Sequence, residues 1–315
     1  MISIWPQSMT NTSTKSGLRR EVVHGLLFAA VTYTLWGLFP IYLKSLEGVS
    51  ALEVLAHRIL WSVPFGALLL TLRKQWPEVK RAFSDRRVLL MLAIAAISIS
   101  TNWLVYVWAV IHDRVLEASL GYYINPMMYV AAGVFVLGEK LRRTQIIAVG
   151  LATTGVLILT FGGGVFPWVS IMLAVLFTAY GYIRKTTNVG AMPGLFIEVV
   201  MLTPLAFLYL MWLMQAGNAV FLSGDMSMDA ILILAGPVTV LPLVMFALAA
   251  RRLQLTTLGF MQYIAPTLQF SLGIYYGEAF TLAHAICFGL IWTALAIFSF
   301  DAVRANRAAR LTKSA

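Results

Sequence analysis

The sequence predicts an all-α membrane protein with ten transmembrane helices, arranged as two inverted five-helix repeats. Three observations lead to this prediction: an apolar composition, ten apolar stretches of membrane-spanning length, and an internal duplication. Of the 315 residues, 60% are hydrophobic and 11% are charged, and the mean hydropathy is +0.83. These values lie far from those of an ordinary soluble domain, so the chain is expected to cross a membrane several times.

Each of the ten stretches is long enough to cross about 30 Å of hydrocarbon as a helix. The first five are residues 23–43, 52–72, 88–111, 115–137 and 144–161, and the second five are 168–183, 194–213, 229–250, 256–276 and 281–300. They do not alternate residue by residue, as the strands of a membrane β-barrel would. The sequence therefore divides into an N-terminal tail (1–20), a first repeat (21–161), a second repeat (168–303) and a basic C-terminal tail (304–315).

The duplication has an offset of 140 residues. The Tyr-Ile-Asn-Pro segment at 123–126 recurs as Tyr-Ile-Ala-Pro at 263–266, and the same offset pairs Pro64 with Pro204. Because each copy holds an odd number of spans, the second copy must be inverted in the membrane relative to the first. Many secondary transporters are built in this way.

The basic residues predict the orientation. The chain carries 23 Lys and Arg and a formal net charge of +10, and nearly all of the basic residues lie in the two termini and in alternate loops. Positive residues are retained on the cytoplasmic side during insertion, so both termini are expected to be cytoplasmic, in a bacterial inner membrane. Because the basic residues are confined to one face of the membrane, membrane topology explains the positive net charge better than nucleic-acid binding does.

The sequence lacks the motifs that metal binding, nucleotide binding and disulfide formation require. Cys287 is the single cysteine, and there is no Cys/His cluster, no His-Glu-x-x-His motif and no Gly-rich phosphate loop. We therefore expect no metal and no cofactor. A membrane enzyme would need clustered nucleophiles or carboxylates within the membrane, and a sensor or scaffold protein would be expected to carry a soluble domain.

Several segments together carry a family resemblance. They are residues 116–126, residues 258–267, Trp36-Gly37, His57-Arg58 with Trp61, and the Gly-Leu-Phe-Ile-Glu segment at 194–198. The chain resembles the RarD family of the drug/metabolite transporter superfamily, whose members contain two EamA-type repeats. This resemblance implies that helices one to four and six to nine surround a central cavity, with helices five and ten behind it. It indicates the architecture more closely than the cargo.

Two charged residues inside predicted spans are the first site candidates, because a charge in hydrocarbon is costly and usually faces a cavity or a partner. Arg58 lies near the outer end of the second helix, and Glu198 lies near the inner end of the seventh, at the repeat offset of 140. Each has a simpler alternative: Arg58 could snorkel to the interface, and Glu198 could favour a helix N-terminus. His57 shares a helix face with Glu53 and Trp61, which suggests a titratable gate or a histidine bound to its neighbours.

Aromatic and amide side chains in helices three, four and nine form the second group of candidates, suited to a flat or amphipathic ligand. The aromatic residues could instead form belts at the membrane interfaces. The glycines beside Trp36 and Tyr180 could act as hinges or could allow close packing of helices. The complete set of candidate substrate-binding residues is Trp36, His57, Arg58, Trp61, Asn102, Tyr106, Tyr123, Asn125, Tyr180, Glu198, Gln262 and Tyr263.

The function that these observations favour is secondary active transport by alternating access. The expected cargo is a small amphipathic metabolite or drug-like molecule that moves outward, with a proton or a counter-substrate as the coupled species. The expected partners are this small molecule and the lipid bilayer, with no nucleic acid, and the oligomeric state stays open. The alternatives are a facilitative permease without ion coupling and a membrane sensor or scaffold protein without transport activity.

Overall fold

The computed structural model describes residues 12–137, 143–162, 166–250, 252–253, 257–258 and 261–314. The regular elements of this part of the chain are all helices. They are α1 (Thr12–Gly37), α2 (Phe39–Lys44), α3 (Ala51–Leu72), α4 (Trp76–Phe83), α5 (Arg86–Ile111), α6 (Val115–Leu137), α7 (Arg143–Gly162), α8 (Trp168–Thr186), α9 (Ala191–Gln215), α10 (Met226–Ala250), α11 (Ile264–Tyr275) and α12 (Leu282–Ser314).

The predicted helices differ from these elements in five places, the first of which is that α1 begins at Thr12, inside the predicted N-terminal tail. The first predicted span is broken at Leu38 into α1 and α2, with Pro40 in the first turn of α2, where its missing N–H costs no hydrogen bond. The predicted basic loop after α3 contains the amphipathic helix α4. The ninth predicted span, 256–276, corresponds to α11, and part of its expected start lies outside the described residues. Helix α12 runs on through most of the predicted C-terminal tail.

The exposed surface of the helices is that of a multi-pass membrane protein. Among the described residues, seven helical segments are long and apolar enough to span a bilayer: Glu21–Lys44, Ala51–Leu72, Arg86–Ile111, Arg143–Gly162, Ala191–Gln215, Met226–Phe246 and Leu282–Asp301. Many large apolar side chains on these segments are exposed, among them Leu68, Ile97 and Leu208. A continuous apolar exterior of this kind is stable only in contact with lipid or another apolar partner.

The helix packing repeats itself when the two halves of the chain are exchanged. Helix α1 packs on α10, and correspondingly α8 packs on α5; α3 packs on α10, and α9 on α5; α1 packs on α11, and α8 on α6. Helices that correspond to each other also pair directly, as α3 with α9, α6 with α11, and α7 with α12. The pairing of α7 with α12 is the most extensive contact, and this pair also packs on α6.

Buried polar side chains join equivalent helix pairs. Asn102 Nδ2 of α5 donates to the Leu173 carbonyl of α8 at 3.0 Å. Thr32 Oγ1 of α1 donates to the Pro242 carbonyl of α10 at 3.3 Å. Asn102 and Pro242 are related by the 140-residue offset, and Thr32 and Leu173 fall within one residue of it. Each contact satisfies a polar group that would be costly to leave unpaired in an apolar interior.

Polar contacts between helix ends fall into two groups at opposite ends of the bundle. One end carries the pairs Glu21–Arg252, Glu78–Gly190 and Thr144–Asp301. The other end carries the pairs Lys44–Asp113, Glu53–Val220 and Glu278–Val115. The first group joins ends that the sequence assigns to the cytoplasm, and the second joins the ends assigned to the outer side. We call them the basic end and the outer end.

Glu278 shows how the outer end is fixed. Its carboxylate accepts hydrogen bonds from the N–H groups of Val115 at 2.5 Å and Leu116 at 2.8 Å, at the start of α6. Burial raises the pKa of Glu278, and the two N–H donors oppose that rise. A carboxylate at a helix N-terminus is stabilised by the unpaired N–H groups there. The loop after α11 is therefore tied to the beginning of α6, across the two halves.

Candidate functional site

Arg58 lies in a closed aromatic cage near the outer end. Helix α3 begins after Ser50, whose hydroxyl accepts the Glu53 N–H, and Arg58 follows the first helical residue by about 10 Å of helix. Only 5% of Arg58 is exposed. Its guanidinium carbon lies 4.8 Å from the centre of the Phe39 ring and 4.7 Å from that of Trp103. Its Nε donates to Thr239 Oγ1 at 3.1 Å.

The cage offers hydrogen-bond donors that have no acceptor. Within the described part of the chain, no carboxylate forms a salt bridge with Arg58, and its Nη1 has no hydrogen-bond partner. The Tyr106 hydroxyl is also buried without a partner, while the Tyr106 ring stacks on Phe39 at 6.0 Å. A buried cation normally has a counter-charge. Arg58 instead has aromatic faces and one threonine, so the cage contains two buried donors that lack an acceptor in the described part of the chain.

Glu198 occupies the corresponding place near the basic end. It is fully buried in α9, about 10 Å from the first residue of that helix. The Tyr180 hydroxyl donates to Glu198 Oε2 at 3.2 Å, and Arg184 Nη1 lies 3.5 Å from Oε1. The ion pair is a contact of opposite charges without an aligned hydrogen bond between these two atoms. From the sequence, Arg184 was recognised only as one of the basic residues that predict the cytoplasmic side. Its pairing with Glu198 could not be predicted, because Glu198 lies on another helix.

Gly194 creates the space in which Arg184 reaches Glu198. A Cβ atom built on Gly194 would lie 1.9 Å from Arg184 Nη1. Arg184 Nη2 donates to the carbonyls of Gly190 at 3.0 Å and Ala191 at 3.2 Å, so the side chain lies across the first turn of α9. A side chain at position 194 would occupy the volume of the guanidinium. The glycine is therefore part of the charged cluster, although it carries no chemistry of its own.

His57 and Trp61 bind each other, but the expected carboxylate is engaged elsewhere. Trp61 Nε1 donates to His57 Nδ1 at 3.1 Å, which assigns the proton of the neutral imidazole to Nε2. Glu53 Oε1 accepts the N–H groups of Val220 at 2.9 Å and Phe221 at 3.3 Å. The Phe221 ring lies 4.8 Å from the imidazole. The group thus fastens the loop between α9 and α10 over the outer end.

Several of the predicted aromatic and amide candidates serve contacts between helices. Tyr123 shares a 2.7 Å hydrogen bond with Thr267 and stacks on Tyr263 at 6.4 Å, which joins α6 to the start of α11. Asn102 donates a hydrogen bond to the Leu173 carbonyl of α8, as described above. Asn125 is buried, and its Oδ1 has no partner among the described residues.

Trp36 packs against α10 and α11, and Gln262 precedes α11. The Trp36 ring packs 5.9 Å from Phe246, and its carbonyl accepts a 3.0 Å hydrogen bond from Gln269 Nε2. Gln269 is 3% exposed and was not predicted as a candidate. Its polar side chain within an apolar span is the signal by which the sequence could have identified Gln269 as a candidate. Gln262 is half-buried in the turn that precedes α11.

A chain of ring contacts leads from the Arg58 cage to Glu198. From Phe39 the chain continues to Tyr106 at 6.0 Å, to Tyr122 at 5.7 Å, to Phe177 at 6.0 Å and to Tyr180 at 6.5 Å, which donates to Glu198. We call these five residues the aromatic ladder. Tyr122, Phe177 and Tyr180 are half-buried, so the ladder is partly accessible along its length. Phe39 and Phe177 were not predicted, because a phenylalanine in an apolar helix gives no distinguishing signal.

A separate cleft lies beside the cage. It is a small cleft of about 20 Å³ between α3, α9 and α10, and its polar lining residues are Ser62 and Thr239. Thr239 is also the residue that accepts the Arg58 Nε–H. The remaining lining is apolar. The structure thus brings Arg58 together with Tyr106, and Glu198 with Tyr180, and it leaves the Tyr123–Tyr263 pair and Trp36 in separate contacts.

Comparison with known proteins identifies the family. Residues 23–161 match the EamA-like transporter family. An uncharacterized transporter of Vibrio cholerae is 44% identical over 293 residues, which cover 93% of this chain and 97% of that protein. Protein RarD of Streptomyces exfoliatus is 42% identical over 287 residues, covering 91% of each chain. A crystal structure that is 18% identical has a TM-score of 0.54 and covers 87% of this chain and 96% of its own, a similarity of fold alone. The chain is therefore a membrane transporter that belongs to the EamA-like transporter family and is of the RarD type.

Proposed function

We propose that this transporter is a secondary active exporter that works by alternating access between two inverted five-helix repeats. The cargo is a small amphipathic metabolite or drug-like molecule, and the membrane is the bacterial inner membrane, with both termini in the cytoplasm. The positions of the basic residues support this orientation, because the basic end gathers the segments that positive-inside insertion would retain. The two groups of end contacts support strict alternation of the helices across the membrane.

The observation that carries the proposal is that the helix contacts between the two halves recur when the halves are exchanged. An interface that is equivalent on exchange of the halves can adopt two mirrored arrangements, and rocking between them would expose the site to each side in turn. In such a motion the contacts at the basic end and those at the outer end would open in turn. Glu78 with Gly190 and Glu53 with Val220 are contacts of this kind, since each joins the two halves.

The aromatic ladder supports an amphipathic cargo. Its rings offer apolar faces, and its two ends carry the buried charged residues Arg58 and Glu198. Arg58 and Glu198 lie about 10 Å inside opposite ends of α3 and α9, which are about 33 and 37 Å long, so roughly 13–17 Å separates them along the bundle. A molecule with an apolar body and a polar group fits such a lining better than a sugar or an inorganic ion would.

The proposal is tested by locking each end in turn. Purified protein is reconstituted into liposomes that are loaded with pools of unlabelled amphipathic solutes. Uptake of the same solutes in labelled form from the outside is then measured as counterflow. Two cysteine pairs, Glu78→Cys with Gly190→Cys and Glu53→Cys with Val220→Cys, are placed where the side chain of one residue meets the backbone of the other. Cys287 is buried and serves as the unreactive background.

We expect either disulfide to stop counterflow, and dithiothreitol to restore it. Counterflow that continues with both ends oxidised would refute alternating access. Protein of known orientation in the liposomes gives the direction, and faster net movement from the cytoplasmic to the outer side supports export. Net movement in the opposite sense would refute export and leave the transport mechanism intact.

A facilitative permease without ion coupling is the second candidate. It is favoured by the Glu198–Arg184 pair, because this carboxylate already has a cationic partner and needs no proton for charge balance. An imposed pH gradient separates the two functions. Accumulation of the solute against its own gradient supports coupling, whereas equilibration at the same rate with and without the pH gradient supports the permease.

A further inference from the structure

We propose that the Arg58 cage binds the carboxylate of an aromatic organic anion, whose ring lies along the aromatic ladder. This names the chemical class of cargo for the transporter proposed above and rests on that function for its physiological role. The binding itself is a property of the cage and can be measured without transport.

The first argument is the uncompensated charge of Arg58. Its guanidinium is buried within a membrane-spanning helix, and among the described residues its contacts include two aromatic faces and one hydroxyl but no carboxylate in a salt bridge. Leaving a buried cation without a counter-charge costs several kcal/mol more than pairing it does. An anionic ligand would supply the missing charge. A cationic ligand would add repulsion to an already desolvated cation.

The second argument is the geometry of the unused donors. Arg58 Nη1 and the Tyr106 hydroxyl are both buried without an acceptor, and both belong to the same cage through their contacts with Phe39. A guanidinium presents its donors in a planar fork that matches the two oxygens of a carboxylate. Tyr106 adds a neutral donor to the same cage. A carboxylate is the group that satisfies donors in this arrangement with the fewest atoms.

Arg114 provides an internal comparison. It is also placed over two indole rings, with its guanidinium carbon 5.7 Å from the centre of Trp108 and 5.6 Å from that of Trp168. Unlike Arg58, it has a carboxylate of its own, because its Nε donates to Glu117 Oε1 at 2.7 Å. The same kind of aromatic site thus contains a carboxylate in one case and, among the described residues, lacks it in the other. Arg114 thus has a carboxylate partner in addition to its ring contacts. Arg58 has the ring contacts without a described carboxylate, so an anionic ligand could supply the counter-charge.

The third argument is the position of the ladder. Tyr106 belongs both to the cage and to the ladder, so an acid whose carboxylate meets Arg58 would place its ring beside Tyr106 and Tyr122. Tyr122 is half-buried and its edge meets Phe177. Aromatic rings gain from such offset and edge contacts beyond the burial of apolar area. Glu198 does not oppose the ligand at the far end, because Arg184 offsets its charge.

Three planar probes that differ in charge test the inference: benzoate, benzamide and benzamidine, which are anionic, neutral and cationic at neutral pH. Binding to the purified full chain in detergent is measured by calorimetry. We expect saturable binding of benzoate, with weaker binding of benzamide and none of benzamidine. Arg58→Lys keeps the charge but loses the fork, and it should weaken benzoate binding by about tenfold or more.

Matched variants separate the cage from general effects on folding. Arg114→Lys changes the other ring-bound arginine and should leave benzoate affinity unchanged. Tyr106→Phe removes only the unpaired hydroxyl and should weaken benzoate binding, whereas Tyr33→Phe, at a buried tyrosine packed on Trp36, should not. Both tyrosine variants retain the ring, so loss of packing does not explain a difference between them.

The inference is overturned if wild-type protein shows no saturable benzoate binding, if benzamidine binds as well as benzoate, or if Arg58→Lys and Arg114→Lys have equal effects. Failure of the proposed transport function has a different signature. In that case benzoate binds with the expected dependence on Arg58, but locking either end of the bundle has no effect on the movement of any solute.

Discussion

Replacement of Gly194 by alanine is a sharp test of the charged cluster at the basic end. The new methyl group would lie 1.9 Å from Arg184 Nη1 and 2.5 Å from Cζ. Because these atoms are at the far end of a flexible side chain, the guanidinium would move and the α9 backbone would stay. Arg184 would then lose its contact with Glu198 and its hydrogen bonds to the Gly190 and Ala191 carbonyls.

The magnitude follows from the burial of the pair. The side chains of Arg184 and Glu198 are 13% and 1% exposed. Breaking a buried ion pair by removing one partner costs about 3–5 kcal/mol. Alanine in place of glycine within a helix returns about 1 kcal/mol. We therefore expect Gly194→Ala to lower the free energy of unfolding by about 2–4 kcal/mol.

A double-mutant cycle with Glu198→Gln identifies the cause. Unfolding of the wild type, both single variants and the double variant is followed in mixed micelles. In the Glu198→Gln background no carboxylate is left without its cation, so Gly194→Ala should cost about 2 kcal/mol less there than in the wild type. Gly150→Ala is the control, because a Cβ at Gly150 meets no atom within 4 Å. It should be neutral or stabilising.

Equal costs of Gly194→Ala in the two backgrounds would refute the reasoning, because the loss would then be independent of Glu198. A Gly194→Ala protein as stable as the wild type would refute it as well. In that event Arg184 would be free to reach Glu198 by another path, and the glycine would have no role in the cluster.

Three further outcomes are expected. Glu198→Gln should abolish net transport while the protein stays folded, and wild-type turnover of this variant in proteoliposomes over about pH 5 to 8 would contradict a role in coupling. Glu53→Gln weakens the anchor of the loop after α9, so a cysteine replacing Phe221 should react about tenfold faster with an impermeant maleimide; an unchanged rate would show that the anchor does not restrain the loop. Hydrogen bonds from Ser227 and from the Met228 N–H lower the pKa of Asp225. The carboxylate form therefore stabilises the fold above the pKa of the unfolded chain, and the stabilisation is lost as pH falls through the lower folded pKa. Asp225→Ala should accordingly lower thermal stability at neutral pH and have little effect once the pH has fallen below the folded pKa of Asp225; a difference that does not change with pH would contradict this.

Sequence periodicity and composition were sufficient for the long helices. Hydrocarbon imposes a minimum length of apolar residues on every span, so helices such as α3 and α9 could be located to within a few residues. The break at Leu38 was less accessible, although Pro40 follows it directly. Helix α4 was missed because its basic residues were interpreted as topology, and its amphipathic pattern extends over only two turns.

The candidate site was predicted in part. Arg58, Tyr106, Tyr180 and Glu198 could be singled out because polar and aromatic residues inside an apolar span are conspicuous. Their partners could not. Arg184 lies in a segment that positive-inside insertion fully explains, and Phe39 and Phe177 are ordinary members of apolar helices. A sequence gives the position of a residue along its own helix, but it does not give the neighbours on other helices.

The sequence by itself determined the class of protein and contains the duplication, and it predicts the side of the membrane on which each helix end lies. These properties depend on composition, length and charge, which act along the chain and do not depend on packing. The tertiary structure decided which charges are paired. It gave Glu198 a cation through the space left at Gly194, and it gave Glu53 to the backbone of Val220. It left Arg58 among rings with donors unused, because no described helix that packs on α3 brings a carboxylate to that depth.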